Sequence, residues 1–209
     1  MKNLNLLKRR VLDLKEGYRQ NVALLGNRFV GKTFVLQKFL AELDDENIVA
    51  IYLDLDNKDF NFFFFRFVGS LLYNFSKISK LPLFDDLQLL MENARTLIPQ
   101  TIDEIKKIQL LLSDDRCEEA YRELIALPEI FSSETGKFCV IIMDEFQNLQ
   151  ELEIPNVFQE LGKKIMTQKR SIYIVSSSYP TAAKQILSEK LSLLFGNFEM
   201  IEMEPFDLS

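Results

Sequence analysis

The sequence predicts an α/β fold in which a five-stranded parallel sheet is covered by helices on both faces. Apolar runs of strand type recur at residues 22–25, 48–53, 138–143 and 172–175, with a last one around 198–203. Helical spacing fills the segments between them, and parallel strands need such crossovers to connect right-handedly. The third observation is size: 209 residues, 47% of them hydrophobic and 27% charged, suit one soluble domain with a sizeable core.

The first strand, Val22-Ala23-Leu24-Leu25, runs into Gly26-Asn27-Arg28-Phe29-Val30-Gly31-Lys32-Thr33, which fits the phosphate-binding pattern G-x-x-x-x-G-K-[ST]. In that pattern backbone N–H groups cradle phosphates, a lysine neutralises their charge and a hydroxyl holds Mg²⁺. Val35, Leu36, Phe39, Leu40 and Leu43 then repeat at helical spacing, with Gln37, Lys38, Glu42 and Asp44 opposite. A helix starting at Gly31-Lys32 would aim its free N–H groups and positive dipole end at a polyphosphate. The candidate nucleotide-binding residues are therefore Gly26, Asn27, Arg28, Phe29, Val30, Gly31, Lys32, Thr33 and Phe34.

A second strand, Ile48-Val49-Ala50-Ile51-Tyr52-Leu53, ends in the polar loop Asp54-Leu55-Asp56-Asn57. The phenylalanine-rich stretch at 60–75 carries Asn61, Arg66, Ser70 and Asn74 and reads as a buried helix rather than a membrane span. Residues 82–127 form a helical insert of two or three helices, punctuated by Pro99 and Pro128, with Thr101-Ile102-Asp103-Glu104 as a capping box. Ser132-Ser133-Glu134-Thr135-Gly136-Lys137 reads as a turn. The expected organisation is one unit over 1–209: a phosphate-loop half at 20–80, the insert at 81–134 and a second half at 135–209.

The chain has no histidine, which excludes Ser-His-Asp and Cys-His nucleophiles and His-ligated zinc. Two cysteines, Cys117 and Cys139, are too few for a thiolate metal site. Without an export signal they indicate a reduced, cytoplasmic chain. A net charge of −6 disfavours direct DNA binding and any anionic membrane surface. The clusters Lys8-Arg9-Arg10 and Lys163-Lys164 read as solvated helix faces.

In parallel sheets ligands bind at the carboxyl ends of the strands. Phe138-Cys139-Val140-Ile141-Ile142-Met143 closes on Asp144-Glu145. Asp144 is the candidate Mg²⁺ holder opposite Thr33, and Glu145 the candidate base for attacking water. Ile172-Tyr173-Ile174-Val175 closes on Ser176-Ser177-Ser178, whose hydroxyls suit a γ-phosphate or a water. Guanine recognition through Asn-Lys-x-Asp fails, because Asn57-Lys58-Asp59 is followed by Phe60. ATP is the expected nucleotide, and Arg10 or Tyr18 are candidates for lining its base pocket.

Together these motifs resemble the AAA+/STAND-type P-loop ATPases, and within them the archaeal-type ATPase family. The likeness spans nearly the whole chain. It rests on the phosphate loop, on Ile141-Ile142-Met143-Asp144-Glu145-Phe146-Gln147, on Val175-Ser176-Ser177-Ser178, and on Leu194-Phe195-Gly196 followed by Ile201-Glu202-Met203-Glu204-Pro205-Phe206. The resemblance implies a three-layer α/β/α P-loop NTPase fold with sheet order 5-1-4-3-2. It implies Lys32 on the phosphates, Thr33 and Asp144 around Mg²⁺, Glu145 as base and Ser177 near the sensor position. Two departures stand out: Asn197 follows Gly196 where relatives often carry the arginine that acts on a neighbouring subunit, and the sequence stops at Ser209, before the lid and winged helix usual in the family.

The expected function is Mg²⁺-dependent ATP hydrolysis, slow in isolation and used as a switch toward a protein partner or a second copy of the chain. Two alternatives stay open. A P-loop kinase acting on a small molecule would draw on Arg116 and Arg122 as lid cations. A nucleotide-gated interaction module would bind without hydrolysing.

Overall fold

The computed structural model describes residues 2–56, 59–191 and 197–204. Its five strands are β1 (Asn21–Leu25), β2 (Ile48–Asp54), β3 (Phe138–Asp144), β4 (Ser171–Ser177) and β5 (Phe198–Glu202). All pair in parallel, in the order β2-β3-β4-β1-β5, which is the expected 5-1-4-3-2 read from the other edge. Asn57, Lys58, Leu194-Phe195-Gly196 and Pro205-Phe206, quoted above for the base and family readings, lie outside the described residues.

Alternation along the strands divides the core between two layers. Val22, Leu24, Val140, Ile142, Ile172 and Ile174 pack on helices α1 (Lys2–Lys15) and α2 (Lys32–Ala41). Ala23, Leu25, Cys139, Ile141, Met143, Tyr173 and Val175 face the other way. They meet α3 (Phe60–Ile78) and the insert helices α4 (Leu87–Ala94), α5 (Pro99–Ser113) and α6 (Cys117–Thr135), with α7 (Val157–Thr167). Helix α1 carries the solvated face expected around Lys8-Arg9-Arg10, and Leu4, Leu7, Val11 and Leu14 form its buried stripe, which the sequence reading did not name. Two of its lysines are paired locally: Lys8 with Glu42 and Lys15 with Asp45.

The phenylalanine run is the buried helix the spacing predicts, with Phe60, Phe63, Phe64, Phe67 and Phe75 inside and the Asp59 carboxylate accepting from Phe62 N at its start. Among the described residues no helix is long and apolar enough to cross a membrane. The insert contains three helices, and two expectations about their ends are corrected. No capping box forms at Thr101, because Pro99 takes the first helical position and moves the start upstream. The free N–H groups of Gln100 and Thr101 instead donate to Glu134 at 2.7 and 2.9 Å. Pro128 does not end α6, and 132–135 is its last turn rather than a loop; the helix closes at Gly136, whose φ of +71° suits a left-handed cap. Burial of Leu124, Ile125, Leu127 and Phe131 around Pro128 offsets the backbone bond that proline removes.

Candidate functional site

At the carboxyl edge of the sheet, β1 turns into the loop 26–31 and α2. Gly26 is required by a close approach: a Cβ there would lie 2.6 Å from the Met203 carbonyl oxygen and 2.9 Å from Val30. Gly31 has φ +90° and Phe29 φ +67°, so the loop turns through left-handed backbone on both sides of buried Val30. Phe29 is completely exposed at the tip. The Lys32 side chain folds back beneath the loop and donates to the carbonyls of Gly26 (2.8 Å) and Asn27 (3.0 Å) and to Ser178 Oγ (2.9 Å). Burial pushes its ammonium pKa down, against the opposing pull of Glu145 and Asp144.

Asp144 closes β3 and is buried. Its Oδ2 accepts from Thr33 Oγ1 at 2.8 Å and from the Tyr52 hydroxyl at 3.1 Å, and its Oδ1 accepts from Ser176 Oγ. Three hydroxyls thus orient one carboxylate from three elements. Burial and this carboxylate raise the Tyr52 phenol pKa, which keeps Tyr52 a donor.

Glu145 has left-handed backbone, φ +56° and ψ +47°, a conformation a non-glycine residue keeps only where its surroundings enforce it. Its carboxylate accepts from Ser178 N (2.8 Å), Ser178 Oγ and Gln147 Nε2 (2.9 Å). Burial alone would raise the Glu145 pKa, but these hydrogen bonds and Lys32 outweigh it and hold it below the usual carboxylate value. Asp54, level with Asp144 in the β2–β3 register, and Asp56 add two more carboxylates. Burial, with Asp54, Glu145 and Asp144 nearby, raises the Asp56 pKa.

These groups line one open cleft of ≈ 660 Å³. Of the residues singled out in the sequence, Arg28, Phe29, Gly31, Lys32, Thr33, Phe34, Asp144 and Glu145 border it. Gly26 and Asn27 lie behind it, offering carbonyls to Lys32. Ser177 does not join them: it is buried, its Oγ accepts from Tyr179 N, and its neighbours Ser176 and Ser178 reach the carboxylates instead. Strand parity is the reason, since alternate residues share a face. Arg10 is held by Asp13 and Glu199, and neither it nor exposed Tyr18 borders the cleft. Arg116 and Arg122 are paired with Glu119 and Glu118 at a separate surface recess.

Sequence reading missed Tyr52, Asp54, Asp56, Gln147 and the specific role of Ser178. The rule that ligands meet strand ends would have found Asp54 and Asp56. Among the described residues no three acidic, cysteine or histidine side chains form a metal cage. The Thr33–Asp144 oxygen pair fits a hard cation that takes its remaining ligands from phosphate and water.

No protein-family model matches the chain, and no curated protein matches it in sequence. Its structure is similar to the Walker-type ATPase of Pyrococcus abyssi, with a TM-score of 0.53 and 18% identity over 96% of this chain. It is also similar to Cdc6p of Pyrobaculum aerophilum (TM-score 0.51, 13% identity, 98% of this chain) and to the Orc2 protein of Aeropyrum pernix in its ADPNP–ADP complexes (TM-score 0.50, 10% identity, 97% of this chain). The chain spans about half the length of these proteins, 53%, 45% and 46% respectively. With its sheet order and phosphate loop, the chain has the three-layer α/β/α P-loop fold that these proteins share.

Proposed function

We propose that the chain binds ATP with Mg²⁺ and hydrolyses it, slowly, as a nucleotide-driven switch. The observation that carries this reading is the 2.8 Å contact between Thr33 and Asp144, residues 111 positions apart, with Lys32 and Glu145 beside them in one cleft. Loop N–H groups and Lys32 would hold the phosphates, while Thr33 and Asp144 would hold the cation, with Tyr52 and Ser176 keeping the carboxylate oriented. When bound, the cation would supply charge neutralisation to the phosphates. Glu145, ionised at neutral pH, would take the proton of the attacking water. Adenine nucleotides are supported by the missing guanine motif and by the ADPNP and ADP bound to the Orc2 protein.

Binding would pull Lys32 off Ser178 and so loosen the β4 end, where Ser178 also holds Glu145, and that change would be the switch. The signal would pass to a protein partner or a second copy of the chain. Kinase chemistry is not favoured, since Arg116 and Arg122 do not border the cleft. Calorimetric titration with ATP and GTP, each with Mg²⁺, tests the reading beside Lys32→Ala and a phosphate-release assay. Saturable ATP binding lost in the variant is expected, with turnover well below the roughly 1–10³ s⁻¹ common to enzymes. No binding by the wild-type chain overturns it.

A further inference from the structure

One cation in the cleft, a candidate nucleotide contact, has no part in the chemical step as described. Arg28 lies two residues after Gly26, with its guanidinium exposed. It donates to the Tyr179 hydroxyl at 3.2 Å and stands over the same ring, 5.8 Å from its centroid. Among the described residues it forms no ion pair, although Asp54, Asp56, Asp144 and Glu145 line the same cleft. A carboxylate partner would neutralise the guanidinium, whereas a phenol and a π face orient it and leave its charge and remaining N–H groups available to an anion.

Its perch is coupled to the chemistry. Tyr179 directly follows Ser178, which accepts from Lys32 Nζ and donates to Glu145. Arginine, lysine and base therefore meet on two consecutive residues at the end of β4. Asn197, in turn, offers no guanidinium at the position where a subunit-bridging arginine is expected.

We propose that Arg28 supplies, within its own chain, the arginine that neutralises charge on the transferring phosphoryl group, with Tyr179 as its positioning residue; this rests on the ATPase reading above. In the step, the water oxygen bonds to the γ-phosphorus and the water proton passes to Glu145. The bond from phosphorus to the β–γ bridging oxygen breaks, and its electron pair leaves with ADP. Negative charge grows on the bridging oxygen and is spread over the γ-oxygens, and the guanidinium fork matches that arrangement. Supply in cis makes the rate per chain independent of protein concentration.

The test measures phosphate release, calorimetric ATP affinity and capture of ADP–aluminium fluoride for wild type, Arg28→Ala, Arg28→Lys and Tyr179→Phe, at several protein concentrations. Arg28→Ala is expected to keep ATP affinity within about threefold, lower kcat by about 10²–10³-fold and lose the captured complex. Arg28→Lys restores part of the rate, which a role in loop folding alone would not produce, and Tyr179→Phe gives a smaller loss of kcat. Unchanged kcat in Arg28→Ala, equal losses of affinity and kcat, or a wild-type rate per chain that climbs with concentration overturns the proposal. Hydrolysis untouched by Arg28→Ala removes this proposal alone; a wild-type chain that neither binds ATP nor releases phosphate removes the ATPase reading as well.

Discussion

The two faces of the sheet are built by different means. The face under α3, α5 and α6 is rich in buried aromatics: Phe63 meets Phe67 and Tyr121, Phe75 meets Phe131, and Phe64 is buried in the same cluster. The face under α1 and α2 is smaller and mostly aliphatic, and at its carboxyl end it gives way to hydroxyls, carboxylates and one buried lysine. Stability and chemistry are thus separated across one sheet. Apolar packing is non-directional and tolerates the wide insert, whereas the polar end depends on hydrogen bonds that weaken steeply with distance and angle.

That contrast breaks most visibly in the aromatic layer. Phe131 is fully buried, edge-on to Phe75 at 5.4 Å. Phe131→Ala should cost about 3–5 kcal/mol in urea unfolding. In conditions where that variant is still folded it should bind ATP as wild type does, and a parallel loss of affinity would show that the faces are not separable.

A change at the polar end should do the reverse. Glu145→Gln should keep ATP binding while phosphate release falls by about 10²-fold or more. Equal turnover would remove Glu145 from the chemistry.

Ser178→Ala sharpens the comparison through pH. Glu145 is held below its ordinary pKa, so the stability it contributes is present above the unfolded value and lost as pH falls through the folded one. Removing the Ser178 hydroxyl should move the acid limb of both the rate profile and the stability profile upward. A profile unchanged between about pH 4 and 8 would mean that Gln147 and the Ser178 backbone suffice.

The smallest effect concerns the loop tip. Phe29 packs on nothing yet sits at φ +67°. Phe29→Gly should raise stability by about 0.5–1 kcal/mol in the same unfolding assay, by relieving left-handed backbone. A loss would reveal contacts for that ring in solution.

Much of this was written locally. The runs ending at Leu25, Asp144 and Ser177 were legible as strands because buried parallel strands are contiguous apolar segments. The phosphate loop was legible because its glycines, lysine and threonine act within eight residues. Helix ends were harder. The α5 cap comes from Glu134 on another helix, and Pro128 sits inside α6 because neighbours bury that turn.

Local patterns along the chain were enough for the α/β class, the sheet's strands and the residue types of the cleft, since periodicity and loop chemistry reside in neighbouring residues. Which side chains meet depends on the folded chain: Tyr52 on Asp144 across 92 positions, Ser178 rather than Ser177 on Lys32 across 146, and Arg28 on Tyr179 across 151. Those meetings follow from strand register and parity, where a shift of one residue sends a side chain to the opposite face, and register is set by the packing of the whole sheet.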